Sequence, residues 1–155
     1  MKPIEGYFAI LYSDKSSGKI GVRFEEHPGV ITYGKDPDDA LQKAREALSA
    51  ALEVDFERGL SLPAPVRPKK LKRGETSAFV RLNPDVWVAY LIRSWREAAG
   101  LSQKQLAAKL GVSYQSYQRM ERPGRSNLTV ETLERIAQAL DSQLILEIRP
   151  AQKAS

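Results

Sequence analysis

Residues Leu101 to Leu140 read LSQKQLAAKLGVSYQSYQRMERPGRSNLTVETLERIAQAL, and they decide the fold of the C-terminal half of the chain. Ser102 can cap a helix N-terminus, and Gln105 three residues later completes a capping box of the S-x-x-Q type. Apolar residues then recur at helical spacing up to Leu110, and Gly111 supplies the left-handed residue that often ends a helix. The pattern predicts a helix of about two turns.

A second short helix is predicted after this glycine turn. Ser113 can cap it, and Tyr117 and Met120 are its inward-spaced large side chains, so its outer face is polar. Two short helices joined by a tight turn form a helix-turn-helix, whose second helix lies in the major groove of DNA. Glutamine pairs with adenine and arginine with guanine, so Gln115 and Arg119 have the chemistry to read bases. We therefore predict DNA binding.

Helices predicted on both sides of this motif supply its core. One spans Pro84–Ala98 and the other begins at Thr129, because apolar residues recur in both at helical spacing. The predicted core residues are Val88, Leu91, Ile92, Trp95, Leu133, Ile136, Ala137 and Leu140. The competing interpretation is an ordinary helical hairpin whose exposed glutamines only keep it soluble. The shared register of caps, turn and core favours the DNA reader.

Charge divides the chain into two halves. Its 155 residues are 42% hydrophobic, which is enough for two small cores. Residues 1–58 carry 8 Lys/Arg against 11 Asp/Glu, a net charge of −3, whereas residues 59–155 carry 16 against 8, a net charge of +8. The basic half suits phosphate and the acidic half suits a neutral or basic partner, although surface variation accounts for the acidic excess equally well.

Composition also argues against several classes of site. Cysteine is absent and His27 is the single histidine, so we expect no metal and no cofactor. No apolar run is long enough for a membrane span, and the N-terminus lacks the apolar region of a secretion signal, so we expect a cytoplasmic protein with no membrane partner. No nucleophile elbow, P-loop or dinucleotide-binding glycine pattern occurs.

The segment Leu60–Thr76 is predicted to link the two halves. Its prolines at positions 63, 65 and 68 block helix and favour a semi-rigid, extended geometry. Five of the seven residues from Arg67 to Arg73 are basic, a composition that favours a solvated tether over additional nonspecific attraction to DNA. The predicted domains are residues 1–60 and 77–155, with a linker at 61–76.

The N-terminal half alternates as β-strands do and then becomes helical. Strands are predicted at Tyr7–Tyr12, Lys19–Glu25 and Val30–Tyr33. Asp36 is placed to cap a helix whose first position is Pro37. The predicted fold class is therefore α+β, with a small β-β-β-α domain followed by an all-α helix-turn-helix domain that short strands flank.

These flanking strands are predicted at Ala78–Leu82 and Gln143–Ile148, where apolar and polar side chains alternate. We expect the two segments to pair, within the chain or across a symmetric dimer, because an unpaired strand invites aggregation. One helix-turn-helix covers only half of an operator, so tight DNA binding also calls for a dimer, which we expect to form through the C-terminal half.

Six short motifs occur along the N-terminal half. They are Tyr7-Phe8-Ala9-Ile10, Gly18-Lys19-Ile20-Gly21-Val22-Arg23-Phe24, His27-Pro28-Gly29, Thr32-x-Gly34, Asp39-Ala40 and Leu62-Pro63-Ala64-Pro65. In this pattern the chain resembles the HicB family of antitoxins, with Glu26 where the family more often has aspartate. The resemblance implies a degenerate ribonuclease-H-like domain that binds and occludes a HicA-like toxin, a small basic protein that cleaves mRNA. It places the toxin contacts within the N-terminal domain without assigning them to residues.

The stretch from Leu101 to Leu140 resembles the helix-turn-helix domains of the XRE or phage-repressor type. This resemblance implies that Tyr114, Gln115 and Arg119 occupy base-reading positions and that Gln103 holds a phosphate. Tyr114 departs from the commoner polar residue and can stack on a sugar or touch a thymine methyl group. Further phosphate contacts are predicted for Ser113, Ser116, Gln118, Arg122, Arg125 and Asn127.

Together, the two resemblances indicate an antitoxin that masks a HicA-like toxin and represses its own operon, with residues 1–60 sufficient for the masking. The expected partners are this toxin, operator DNA, and a second copy or a higher even oligomer. The alternative is a solitary helix-turn-helix regulator whose N-terminal domain binds a ligand or only dimerises. We expect no enzymatic activity, because two-metal nucleases gather several carboxylates around their ions. The candidate carboxylates do not converge in the predicted topology: Asp14, Glu25, Glu26, Asp55 and Glu57.

Overall fold

The computed structural model describes residues 4–124, 128–148 and 150. Within these residues a four-stranded antiparallel sheet packs against one long helix, and four shorter helices follow. The elements are β1 (Gly6–Asp14), β2 (Lys19–Phe24), β3 (Ile31–Gly34), α1 (Pro37–Glu57), β4 (Thr76–Arg81), α2 (Pro84–Ala98), α3 (Gln103–Leu110), α4 (Tyr114–Met120) and α5 (Val130–Ala139). The predicted α+β class is confirmed.

The sheet has the strand order β3-β2-β1-β4 and buries one face against α1. Tyr7 in β1 is fully buried in this core, where α1 contributes Leu48 and Leu52. Because successive side chains of a strand point to opposite faces, Phe8 and Tyr12 lie on the face away from α1. The sheet therefore has one face covered by α1 and a second face, the open face, that α1 does not cover.

The N-terminus of α1 forms as its sequence predicts. The side chain of Asp36 accepts a hydrogen bond of 2.9 Å from the backbone N–H of Asp39, and Pro37 occupies the first helical position. Gly34 brings β3 against this first turn, because a Cβ atom there would lie 2.2 Å from the backbone nitrogen of Ala40. A larger residue at position 34 would push the helix off the sheet.

The strand predicted at Ala78–Leu82 belongs to the N-terminal sheet. It forms β4, which pairs antiparallel with β1 so that Phe79 lies opposite Phe8. Val80 and Leu82 are buried in the core under α1. The prediction that this segment flanks the helical domain and pairs with residues 143–148 within the chain is therefore wrong, because β1 offers an edge with matching alternation. Pairing of the two segments across a dimer stays a prediction. A fragment of residues 1–60 would lack this edge strand.

The second predicted flanking strand does not form in the described part of the single chain. Residues 142–148 follow α5 without strand structure. Leu144 is half-buried, and the other three apolar side chains are exposed, by 79% for Ile145, 63% for Leu146 and 99% for Ile148. The alternating pattern alone does not make this segment a strand, because a strand needs a neighbouring strand to complete its hydrogen-bond ladder.

The predicted linker is a crossover within the N-terminal unit, because residues 58–75 connect α1 to β4 of the same sheet. Leu62 is buried in the sheet core, and the phenol of Tyr7 donates a hydrogen bond of 2.8 Å to the carbonyl of Pro63. Further along, Arg23 donates a hydrogen bond of 3.0 Å to Glu75. The crossover is thus held on the sheet at several points and does not act as a free tether.

Helix α2 is shared between the two units. Val86 near its start packs in the sheet core, whereas Ile92 is fully buried in the core that α3, α4 and α5 build. Trp95 is 37% exposed, contrary to the prediction that it lies in this core, because Arg96 occupies the inward position. Among the described residues, no helix combines the length and apolarity that crossing a bilayer requires.

Candidate nucleic-acid interface

Helix α3 begins and ends as the sequence predicts. Ser102 Oγ accepts a hydrogen bond of 3.2 Å from the backbone N–H of Gln105, whose Oε1 accepts one of 2.8 Å from the backbone N–H of Ser102. Gly111 ends the helix in the left-handed region at a φ of 68°. The capping box and the turn glycine together fix the angle at which the chain enters α4.

Helix α4 presents its predicted base-reading residues Gln115 and Arg119 to solvent. The helix is capped by Ser113, whose hydroxyl oxygen accepts a hydrogen bond of 3.1 Å from the backbone N–H of Ser116. Gln115 and Arg119 are both exposed and lie four residues apart, so they share one side of the helix. Tyr117 points the other way and is fully buried. One face of α4 is therefore anchored and the other is free to meet a partner.

The third predicted base-reading residue, Tyr114, is half-buried and contacts α3. Its phenol donates a hydrogen bond of 3.3 Å to Gln103 Oε1 and accepts one of 2.7 Å from Gln118 Nε2. The ammonium group of Lys104 lies 5.7 Å from the centroid of the tyrosine ring. Tyr114 thus joins the N-termini of α3 and α4, two of the places where phosphate contacts are predicted.

The predicted phosphate-contacting residues lie in different environments. Gln103 and Gln118 are half-buried and bonded within the protein, whereas Ser116 and Arg122 are exposed and Ser113 serves as the cap of α4. Arg125 and Asn127 lie outside the described residues. Contact of these side chains with DNA stays a prediction.

A buried carboxylate lies directly behind this surface, and the sequence analysis missed it. Glu121 is 1% exposed and accepts hydrogen bonds from Arg96 Nε at 2.5 Å and Arg96 Nη2 at 3.0 Å. Its other donors are the phenol of Tyr117 at 2.5 Å and Gln103 Nε2 at 2.7 Å. The available signal was its position four residues after the inward-facing Tyr117, which places it on the same side of the chain.

This network links the two helices of the motif to α2. Hydrogen bonding to Glu121 raises the pKa of Arg96 above its usual range, and burial together with Glu121 raises the pKa of Tyr117. The guanidinium therefore stays charged and the phenol stays protonated at any physiological pH. A buried charge left without its partner is strongly destabilising, so α2, α3 and the end of α4 are held in one relative position.

A cleft of about 560 Å³ separates the end of α1 from the reading surface. Its lining includes Glu57 from α1 and Gln103, Gln118 and Arg122 from the helix-turn-helix. Beside it, the guanidinium of Arg93 lies 4.8 Å from the centroid of the Phe56 ring. The cleft places the acidic end of α1 next to three of the predicted phosphate-contacting residues.

Two of the five candidate carboxylates of the N-terminal half accept hydrogen bonds from nearby turns and loops, whereas Glu26 and Asp55 both lie close enough to His27 to affect its pKa. Asp14 accepts hydrogen bonds from Ser16 and Ser17 in the β1-β2 turn, and these bonds lower its pKa. Glu26 Oε1 accepts one from the backbone N–H of Val66 in the crossover. In the described part of the chain, no group of three or more His, Cys, Asp or Glu residues is arranged to hold a metal ion.

Comparisons with known proteins cover both halves of the chain. Residues 92–145, which include α3, α4 and α5, match the family model described as helix-turn-helix. A similar solved structure is the N-terminal domain of the antitoxin HicB from Burkholderia pseudomallei, with 27% sequence identity, a TM-score of 0.43, and coverage of 52% of this chain and 99% of that chain. A search of curated protein sequences gave no match. The C-terminal unit is a helix-turn-helix DNA-binding domain, as predicted.

Proposed function

We propose that the chain represses transcription by placing α4 in the major groove of an operator. The observation that carries this proposal is the exposure of Gln115 and Arg119 on one side of α4, while Tyr117 anchors the opposite side in the core. Both exposed side chains can form paired hydrogen bonds with the edge of a base. Residues 83–155, which include the helix-turn-helix, carry 10 Lys/Arg against 7 Asp/Glu, and this net charge of +3 adds attraction to phosphate that depends on salt concentration.

Alanine substitutions in α4 test this proposal by gel shift or fluorescence anisotropy. Gln115→Ala and Arg119→Ala should each weaken operator binding by about 1 to 3 kcal/mol and relax base preference. Gln138→Ala and Arg81→Ala remove exposed side chains of the same types on α5 and β4 and serve as matched controls. Equal losses for all four variants, or equal losses on operator and random duplex, would contradict the assignment of the reading face. Gln103→Ala is less informative, because it also removes a donor to Glu121.

The second part of the proposal is that the N-terminal unit masks a HicA-like ribonuclease toxin, so that the chain is an antitoxin that represses its own operon. Support comes from the HicB-type motifs and from the acidic residues of α1, whose charge complements a small basic protein: Asp38, Asp39, Glu46, Glu53, Asp55 and Glu57. Both proposed roles are binding roles and need no catalytic group.

Co-expression with a toxin-sized basic protein encoded beside the gene tests the masking. The full chain should restore growth, and Arg119→Ala should restore it equally well while losing operator binding. A chain that binds operator but neither binds nor neutralises the toxin would support the alternative, a solitary regulator whose N-terminal unit binds a ligand or only dimerises.

A further inference from the structure

The open face of the sheet carries two pairs of aromatic side chains. Phe8 and Phe79 meet across β1 and β4 with their ring centroids 5.1 Å apart, and Phe79 is 43% exposed. Tyr12 and Tyr33 meet over β1, β2 and β3 with their centroids 6.5 Å apart, and Tyr33 is 42% exposed. Exposed aromatic residues in adjacent positions on one sheet face form a surface on which flat groups can stack.

The Tyr12–Tyr33 pair forms an open corner because β2 has a glycine beneath it. A Cβ atom on Gly21 would lie 2.3 Å from the ring of Tyr12, so this ring lies directly over the β2 backbone. The ring of Tyr33 stands at 81° to the ring of Tyr12. The ring of Tyr12 lies along the sheet and the ring of Tyr33 is nearly perpendicular to it. This arrangement fits a planar group such as a nucleobase.

Arginine lies between the two aromatic pairs. Arg23 of β2 is opposite Ile10, which is halfway between Phe8 and Tyr12 along β1. Ile10 is fully buried, so the part of this face between the two pairs is covered by the protein itself. The face therefore offers two separate aromatic pairs, with Arg23 and its partner Glu75 between them.

A basic strap, residues 67–73 of the crossover, is fastened to the same face at both ends. At one end the guanidinium of Arg67 lies 5.2 Å from the centroid of the Phe8 ring. At the other end Glu75 accepts hydrogen bonds from Arg23 and from the backbone N–H of Lys72. Between these anchors four basic side chains are exposed: Lys69, Lys70, Lys72 and Arg73. They form no ion pair within the described residues.

We propose that this open face and the basic strap form a second nucleic-acid site, which binds single-stranded RNA or DNA by stacking bases on Tyr33 and Phe79 and pairing phosphates with the strap. A positively charged track beside aromatic side chains is the general design of proteins that bind single strands with little sequence preference. A four-stranded sheet that stacks bases on exposed aromatics is likewise a known solution for RNA. A duplex does not fit, because its bases are already stacked.

The strap also argues against a basic protein as the occupant of this face. Its four exposed cations would repel a partner of the charge expected for the toxin, whereas six of the twelve acidic residues between positions 1 and 82 lie on α1. The proposal is independent of the operator-binding site, which lies on α4 in the other unit. Failure of one site would leave the other untouched.

Fluorescence anisotropy of the full chain with labelled oligo(U), oligo(dT) and a random duplex tests the site. Tyr33→Ala and Phe79→Ala should each weaken single-strand binding by about 10-fold, whereas Tyr33→Phe, which keeps the ring, should not. Replacing Lys69, Lys70 and Lys72 by glutamine should lower the slope of log K against log salt by about 2. Binding of oligo(U) alone would identify RNA as the ligand, and binding of both strands would identify single strands in general; either result supports the proposal.

Three controls distinguish binding at the open face from binding elsewhere on the chain. Val54→Ala removes an exposed apolar side chain on α1 and should leave single-strand binding unchanged. The double variant Gln115→Ala/Arg119→Ala should bind single strands normally, and thermal unfolding should show that every variant is folded. Ultraviolet cross-linking of the unaltered chain to oligo(U) should label peptides that contain Tyr33 or Phe79.

Three outcomes would overturn the proposal. They are the absence of binding to both single strands, cross-links confined to α3 and α4, and loss of toxin neutralisation by Tyr33→Ala with single-strand binding unchanged. The last result would show that the open face is a protein interface.

Discussion

β4 and residues 143–148 have the same alternation of apolar and polar side chains but different environments. Val80 in β4 is 5% exposed and lies in the core under α1, opposite Tyr7 of β1. Leu146 after α5 is 63% exposed and lies outside any strand. The comparison shows that alternating apolar and polar residues make a segment capable of forming a strand. It pairs within the chain only where another strand offers a free edge whose buried face matches its own.

The two segments also have different roles in the molecule. β4 completes a core, so it belongs to the stability of the N-terminal unit. Residues 143–148 leave three apolar side chains exposed after the helix-turn-helix domain, and one domain of this type covers only half of a palindromic operator. We propose that these residues pair with the same segment of a second chain and form the dimer.

The largest expected effect comes from removing β4. A fragment of residues 1–60 should fail to fold, because β1 loses its neighbour and the core loses Val80 and Leu82. A fragment of residues 1–90, which restores β4 and the part of α2 that packs on this core, should unfold cooperatively in circular dichroism. Cooperative unfolding of residues 1–60 would show that β4 is dispensable.

Deleting residues 142–155 should affect association and leave the fold intact. Light scattering should give a monomer, and gel shifts should show operator affinity reduced by roughly 100-fold, because a linked pair of reading helices gains that much from simultaneous binding. The thermal unfolding of the monomeric units should be nearly unchanged. A truncated chain that remains dimeric would place the dimer interface elsewhere.

Matched substitutions test the comparison between β4 and residues 143–148 at single residues. Val80→Ala should lower the free energy of unfolding by about 2 kcal/mol, because it removes two buried methyl groups. Leu146→Ala removes more carbon but should change the stability of a monomer by less than about 0.5 kcal/mol, since the side chain is exposed. Equal effects in chemical unfolding at low protein concentration would mean that residues 143–148 are buried within the chain.

The smallest expected effect is a pH dependence confined to the N-terminal unit. Burial lowers the pKa of His27, and this effect exceeds the opposite effect of the nearby carboxylates Asp55 and Glu26. The Nε2 atom of His27 is buried without a hydrogen-bond partner in the structure. The unfolded chain therefore binds a proton at His27 at a higher pH than the folded chain does, so stability should decrease as the pH falls from about 7.5 to 5.5. His27→Asn should flatten this dependence. An unchanged slope would assign it to another group.

Several local features could be predicted from the sequence because their causes lie within a few residues. Ser102 with Gln105, Asp36 with Pro37, and Gly111 form caps and turns through contacts between near neighbours in the chain. The same holds for the exposure of Gln115 and Arg119, which follows from helical spacing around Tyr117. Short-range spacing therefore located the candidate reading face.

Glu121 shows where such reasoning fails. In the sequence it is one more charged residue after a short helix, and charged residues usually lie at the surface. It is buried because Arg96, Tyr117 and Gln103 converge on it from three helices, so that its carboxylate is fully hydrogen-bonded. No local pattern could reveal that convergence, because Arg96 is 25 residues away in the chain.

The sequence by itself determined the helix boundaries of the DNA-binding domain, the strands β1 to β3 and the covering helix, because propensity, capping and periodicity act over a few residues. Only the tertiary structure decided that β4 joins the N-terminal sheet, that the basic crossover lies on its open face, and that Glu121 is buried. Each of these depends on which distant surfaces meet. Burial and hydrogen-bond pairing across long separations select those contacts, and the spacing of residues along the chain does not encode them locally.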